Sequence, residues 1–154
     1  MYRHILIATD ESDLADHAVT DGLSLAKSVG AKVTVMMVVE LWLGVSESAV
    51  TPVPASLQLW TFQEVGNYYE QMRKQAASVF DRAADAAKQA GVACDTIQVE
   101  DVRPYEAIIT TATDRGCDLI VMASHGRSGL SAVVLGSVTN KVLTHTKLPV
   151  LVVR

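Results

Sequence analysis

Short apolar runs alternate along this chain with longer stretches in which apolar residues recur every three or four positions. Ile5-Leu6-Ile7-Ala8, Val33 to Val39, Ile97-Gln98-Val99, Leu119-Ile120-Val121-Met122 and Val150-Leu151-Val152-Val153 read as strands. Four of these five are nearly continuous rather than alternating, the pattern of strands covered on both faces in a parallel sheet. Helical spacing fills the gaps. Asp13 to Val29 places Leu14, Ala18, Leu25 and Val29 inward and stops at Gly30; Tyr68 to Ala90 places Met72, Ala76, Val79, Ala83 and Ala87 inward and stops at Gly91. A third helix runs from Pro104, suited to a first helical turn, to Arg115 before Gly116; a fourth runs from Ser137 to about Thr146, with Pro149 beyond it. The order βαβαβαβαβ with right-handed crossovers predicts an α/β fold: an open, doubly wound, five-stranded parallel sheet with helices on both faces, Rossmann-like.

One stretch departs from that regularity. Residues 41–63, from Leu41 to Gln63, carry Trp42, Gly44, Pro52, Pro54 and Trp60 and predict a long connection. Such excursions serve as binding surfaces or simply vary, and both readings stay open; two Trp in an aromatic-poor chain favour contact with a ligand or subunit. There is no internal repeat, so residues 1–154 are expected to form a single domain.

Composition narrows the function classes. Only 5% of residues are aromatic, and 13 basic residues are scattered among 17 acidic ones for a net charge of −4, which excludes the footprint of a nucleic-acid binder. No apolar stretch approaches the roughly 20 residues of a membrane helix. The apolar run after Met1-Tyr2-Arg3-His4 is too short for a signal-peptide core, so a cytoplasmic location is expected. Cys94 and Cys117 are too far apart for a Cys-x-x-Cys pair and read as small buried hydrophobes.

In an open parallel sheet, ligands bind beyond the carboxyl ends of the strands where the winding reverses. Three segments arrive there: Ala8-Thr9-Asp10, Val38-Val39-Glu40 and the stretch from Met122 to Thr139. The last is a glycine-containing loop between a strand and a helix start, whose backbone N–H groups suit an anion. Gly126, Gly129 and Gly136 are explained by turns with positive φ or by a ligand. His125, Arg127, Ser128, Ser137 and Thr139 in the same stretch all donate to phosphate oxygens, so a phosphate cradle fits better. The loop is neither a P-loop nor Gly-x-Gly-x-x-Gly. Asp10 reads either as a helix cap, a task Ser12 or Asp13 could share, or as a ligand group. His4, His17 and His145 do not pair with His125 at metal-ligand spacing, and no serine or cysteine nucleophile arrangement stands out.

These residues resemble the universal stress protein family, whose nucleotide signature runs Gly, two residues, Gly, nine residues, Gly, then Ser or Thr. Here it reads Ala123-Ser124-His125-Gly126, nine residues from Arg127 to Leu135, then Gly136-Ser137. Ala123 replaces the first signature glycine. The resemblance extends to the opening Tyr2 to Asp10, to Pro104-Tyr105-Glu106-Ala107-Ile108, to Asp118 to Met122 and to Leu148 to Val153.

The resemblance implies the adenine nucleotide α-hydrolase-like version of the fold and an ATP site across the first, second and fourth strands. Asp10 would face the ribose or a phosphate-bound metal, Val38 would receive the adenine by main-chain contact, and Ala8 and Thr9 would line its edge. Met122, Ala123, His125, Gly126 and Arg127 would surround ribose and phosphates, with Gly136, Ser137, Val138 and Thr139 holding the phosphate tail. Acidic crowding by Asp10, Glu11 and Asp13 calls for a divalent cation, Mg²⁺ or Mn²⁺, held mostly by phosphate and water. A homodimer through the edge strand 150–153 is also implied. With no Walker lysine, slow ATP hydrolysis is the most the chain would do, and a regulatory, nucleotide-responsive module with an unknown protein partner is the expected role. The alternatives are a nucleotide-free dimeric interaction module and a flavin or electron-transfer domain of similar winding. Ala123 costs on the order of 1 kcal/mol if its φ is positive, intrudes by its methyl if the position needs close approach to the ligand, and does no harm if φ is negative.

Overall fold

The computed structural model describes residues 1–40, 62–101, 103–126 and 135–154. The elements run β1 (His4–Thr9), α1 (Asp13–Val29), β2 (Lys32–Glu40), α2 (Phe62–Ala90), β3 (Cys94–Asp101), α3 (Pro104–Asp114), β4 (Leu119–Ala123), α4 (Ser137–His145) and β5 (Val150–Val153). The sheet has five strands in the order β3-β2-β1-β4-β5, and every pairing is parallel. The expected α/β fold is therefore the observed one. Winding reverses between β1 and β4. Among the described residues no helix is long and apolar enough to cross a membrane.

The continuous apolar runs have the predicted cause. All six residues of β1 and all five of β4 are buried, because helices cover both sides of the sheet centre. Ile5, Ile7, Val33, Val35 and Val121 pack toward α1 and α2; Leu6, Ala8, Met36, Ile120 and Met122 pack toward α3 and α4. Each such large side chain stabilises the fold by roughly 1.5–3 kcal/mol. The edge strand β3 is mostly half-buried, which is why Ile97-Gln98-Val99 lacks a continuous run and why its full length escapes the pattern.

Two helix expectations need correction. The inner face of α1 is centred on Ala15, Ala18, Val19, Gly22, Leu23 and Ala26, while Leu14, Leu25 and Val29 are half-buried. Small residues win that face because the helix lies close to the sheet: a Cβ on Gly22 would sit 3.0 Å from Ile7 Cγ1. The second helix begins at Phe62, six residues before Tyr68, so Phe62 and Gln63 leave the expected connection. Gly66 and Asn67, poor helix formers, hide that start from a propensity reading. The rest of the connection, with Trp42 and Trp60, lies outside the described residues.

His4 locks the amino ends of three segments together. Its Nδ1–H donates to the Arg115 carbonyl at 3.1 Å and its Nε2 lies 2.9 Å from the Thr34 hydroxyl, which donates to it. The adjoining amides of Arg3 and His4 donate to the Asp118 carboxylate. Burial, and then the Lys32 ammonium, push the His4 pKa below its ordinary 6.5. The native form is thus neutral, and the unfolded chain takes up the proton first as pH falls. The contribution is complete above about pH 6.5 and is lost as pH drops through the lower folded value. Urea unfolding at pH 7.5, 6.5 and 5.5 should show stability falling with acidity, and His4→Asn, although less stable throughout, should show a shallower slope.

Candidate functional site

The chain leaves β1 through a tight link to α1. Glu11 sits at φ 67°, the single left-handed non-glycine position among the described residues, and Ser12 then caps the helix by accepting from the Ala15 amide at 3.2 Å. Asp10 is not the cap. Its Oδ1 accepts from the Ser12 hydroxyl at 2.7 Å and from the Ser12 amide at 3.2 Å. Its Oδ2 lies where a Cβ on Gly126 would be. The carboxylate therefore spans from the α1 turn to the loop after β4, and a side chain in place of Gly126 would have to displace it.

On the other side of β1 the second strand runs on. Pairing of β1 with β2 ends at Thr9 and Met37, whereas pairing of β2 with β3 continues to Glu40 and Asp101. The main chain of Val38 to Glu40 thus has no β1 partner and faces the sheet end, where it can serve a planar ligand edge.

The loop after β4 is tied down at both ends. Ser124 N–H donates to the Val153 carbonyl at 2.7 Å, Gly136 N–H to the Ser124 carbonyl at 2.8 Å, and the Thr139 hydroxyl to the Ala123 carbonyl at 2.9 Å. These bonds press the first turn of α4 against the end of β4. A Cβ on Gly136 would lie 3.2 Å from His125 Cα and 3.3 Å from the Ser124 oxygen, both backbone atoms. Gly136 has φ −58° and makes no side-chain cap, so the need is for closeness, not for an unusual dihedral. The His125 Nδ1 lies 3.1 Å from Ser124 Oγ, which fixes the imidazole at the loop.

Together these segments enclose a cleft of about 370 Å³. Ala8, Thr9, Asp10, Val38, Met122 and Ala123 line it, with His125, Gly126, Gly136, Ser137, Val138 and Thr139 at the loop end. Of the expected site residues only Arg127 is missing, because it lies outside the described residues. One wall is apolar: Met36, Val38, Pro104, Ile108 and Met122. The opposite wall carries Thr9, Ala15, Met37, Val39, Tyr68 and Met72. Thr9 is 6% exposed, and its Oγ1 is a buried atom with no hydrogen-bond partner, an unmet polar group at the sheet end. Such a cleft can hold a flat apolar group beside an anion that meets the α4 turn. Among the described residues no group of three His, Cys, Asp or Glu is placed to hold a metal ion.

A model of the universal stress protein family matches residues 1–154, the whole chain. The chain belongs to the universal stress protein family. Universal stress protein YxiE of Bacillus subtilis is 30% identical, with both chains covered completely. The solved structure of MJ0577, a universal stress protein of Methanocaldococcus jannaschii, superposes with a TM-score of 0.77 at 27% identity, covering 99% of this chain and 96% of that one. A universal stress protein solved in complex with cAMP shares the fold at a TM-score of 0.68 and 23% identity, covering 99% and 97%.

Against the family signature, the replaced glycine is conformationally harmless. Ala123 is the last residue of β4, in extended backbone and without a positive φ. Several lining residues escaped the sequence reading. Pro104 and Ile108 were visible as an i, i+4 pair opening α3, but their approach to β2 and β4 depends on the crossover. Met36, Met37 and Met72 looked like ordinary core.

Gly136 gives the sharpest local test. Gly136→Val places a branched side chain against backbone that has no room to move, and should cost about 1–3 kcal/mol by urea unfolding, with Gly136→Ala costing less. Equal stability of all three proteins would contradict the packing described.

Proposed function

We propose that this chain binds ATP, accompanied by Mg²⁺ or Mn²⁺, in the switch-point cleft and acts as a nucleotide-responsive regulatory or interaction module of the cytoplasm. The observation that carries this reading is the juxtaposition of an apolar wall and a side-chain-uncapped helix start across one cleft, joined by Gly126 and Gly136. The adenine lies against the wall at the Val38 main chain, with Ala8, Thr9 and Met122 beside it. Asp10 faces the ribose or the metal-bearing phosphates. Ala123, His125, Gly126 and Arg127 flank the phosphates, and Gly136, Ser137, Val138 and Thr139 receive the tail. The cAMP complex of a protein of the same fold supports an adenine nucleotide as the class of ligand.

The cation is tied to the nucleotide. Asp10 lines the cleft and Glu11 and Asp13 lie within three residues of it in the chain, so their repulsion of a bound polyphosphate would be relieved by a divalent ion held through phosphate oxygens and water. No Lys-Ser or Lys-Thr pair follows the loop glycines directly, so turnover is at most slow hydrolysis and the bound state is the functional one. The proposed dimer uses β5. Among the described residues it pairs only with β4, its outer edge is the end of the sheet, and Leu151 is 38% exposed.

Calorimetric titration with ATP should show saturable binding that weakens in the presence of a chelator. ATP at about 100 times its Kd should stabilise the fold by about 2.7 kcal/mol. Equal affinity with and without Mg²⁺ would remove the cation from the reading; no binding at millimolar ATP would favour the nucleotide-free interaction module. Light scattering at micromolar protein should give twice the chain mass, and a lysine at Leu151 should shift it toward the monomer. A wild-type monomer would overturn the dimer.

A further inference from the structure

The sulfur atoms of this chain are distributed unevenly. Its two cysteines are chemically quiet: burial, and then Asp118, push the Cys117 thiol up to about 11, while burial and Asp95 raise that of Cys94. Since the thiolate is the form that attacks oxidants, neither thiol competes well near neutral pH. A thioether needs no deprotonation to react.

The chain has five methionines, and apart from Met1 every one of them lines the cleft: Met36, Met37, Met72 and Met122. Strand alternation puts Met36 and Met122 on the α3/α4 side and Met37 on the side packed by Ala76 and Val79 of α2. Met72, one turn before Ala76, extends that α2 stripe to the cleft. These four sulfurs differ in accessibility. Met36, Met37 and Met122 are 0%, 3% and 5% exposed, whereas Met72 is half-buried. Met72 is therefore the cleft thioether a small oxidant reaches first.

We propose that Met72 is an oxidation site that tunes the cleft: a peroxide converts its thioether to the sulfoxide and thereby weakens nucleotide binding. A sulfur lone pair attacks one peroxide oxygen, the O–O bond breaks, and the second oxygen leaves as water after proton transfer. Sulfur loses two electrons and the peroxide gains them. The product places a strongly polar S=O beside Ala15, Met37 and Val39 on a wall that also carries Thr9 and Tyr68, and stiffens a side chain whose flexibility lets the wall fit a ligand. Methionine sulfoxide reductases reverse the change, so the site can cycle. The affinity part of this inference rests on the ATP reading above; the modification itself does not.

The test treats the full-length protein with hydrogen peroxide, with and without saturating Mg-ATP, and maps oxygen gain by peptide mass spectrometry. Met1, 99% exposed, reports that the oxidant was effective. The expected result is oxidation at Met72 ahead of Met36, Met37 and Met122, and slowed by ATP. ATP affinity should fall roughly tenfold with an unchanged circular dichroism spectrum, and recover after reductase treatment. Met72→Leu, compared with its own untreated affinity, should lose less than about twofold. The proposal is overturned if Met1 oxidises while Met72 does not, or if fully oxidised Met72 leaves ATP affinity unaltered. An untreated protein that binds no ATP would refute the nucleotide reading and the affinity effect together, while the mass map would still decide whether Met72 is the modified residue.

Discussion

The structure depends on sealing β1 from water on both faces. Ile5, Leu6 and Ile7 are fully buried, alternately toward the α1/α2 layer and the α3/α4 layer, so neither layer can be lost without exposing the strand. A strand covered in this way cannot end in an open hairpin. It must pass its chain to a helix on one face while its neighbour β4 passes to a helix near the other, and the two exits leave a gap at the carboxyl edge. The cleft is therefore a consequence of the core. At the opposite edge, His4 and Asp118 hold the strand starts in register, so the geometry at the cleft is set from both ends of β1.

Within that gap, small residues do the positioning. Gly22 brings α1 onto Ile7, Gly126 makes room for the Asp10 carboxylate, and Gly136 brings α4 against the loop backbone. None of these three has a positive φ, whereas Gly30, Gly91 and Gly116, which do, end helices or turns away from the cleft. The glycine requirement at the site is thus one of distance. The left-handed conformation near the site falls instead on Glu11, where a non-glycine residue carries a local backbone cost of roughly 1 kcal/mol in the link between Asp10 and its partner Ser12.

Much of this was legible in the sequence because burial on two faces writes itself as unbroken apolar runs, and because Gly30, Gly91, Pro104 and Pro149 mark helix limits. The loop after the fourth strand was legible as an anion site from its glycines and hydrogen-bond donors, and the spacing from Ala123 to Ser137 as a nucleotide signature only through the family resemblance. The start of α2 was not, since Gly66 and Asn67 argue locally against a helix that tertiary packing of its Ala76 and Val79 face sustains. Nor was the inner face of α1, where Leu14 and Leu25 carry the stronger hydrophobic signal but the sheet selects the smaller Ala15, Ala18 and Ala26.

The sequence by itself determined the layer order, the parallel sheet and the position of the loop, because strand and helix periodicities are local and the handedness of crossovers leaves few ways to join them. Whether Asp10 caps a helix or reaches the loop, whether Ala123 strains the chain, and that four methionines share one cleft were decided only by the tertiary structure. Those outcomes depend on distances between residues far apart in the chain, set by how closely α1 and α4 approach the sheet, and no local pattern encodes such a distance.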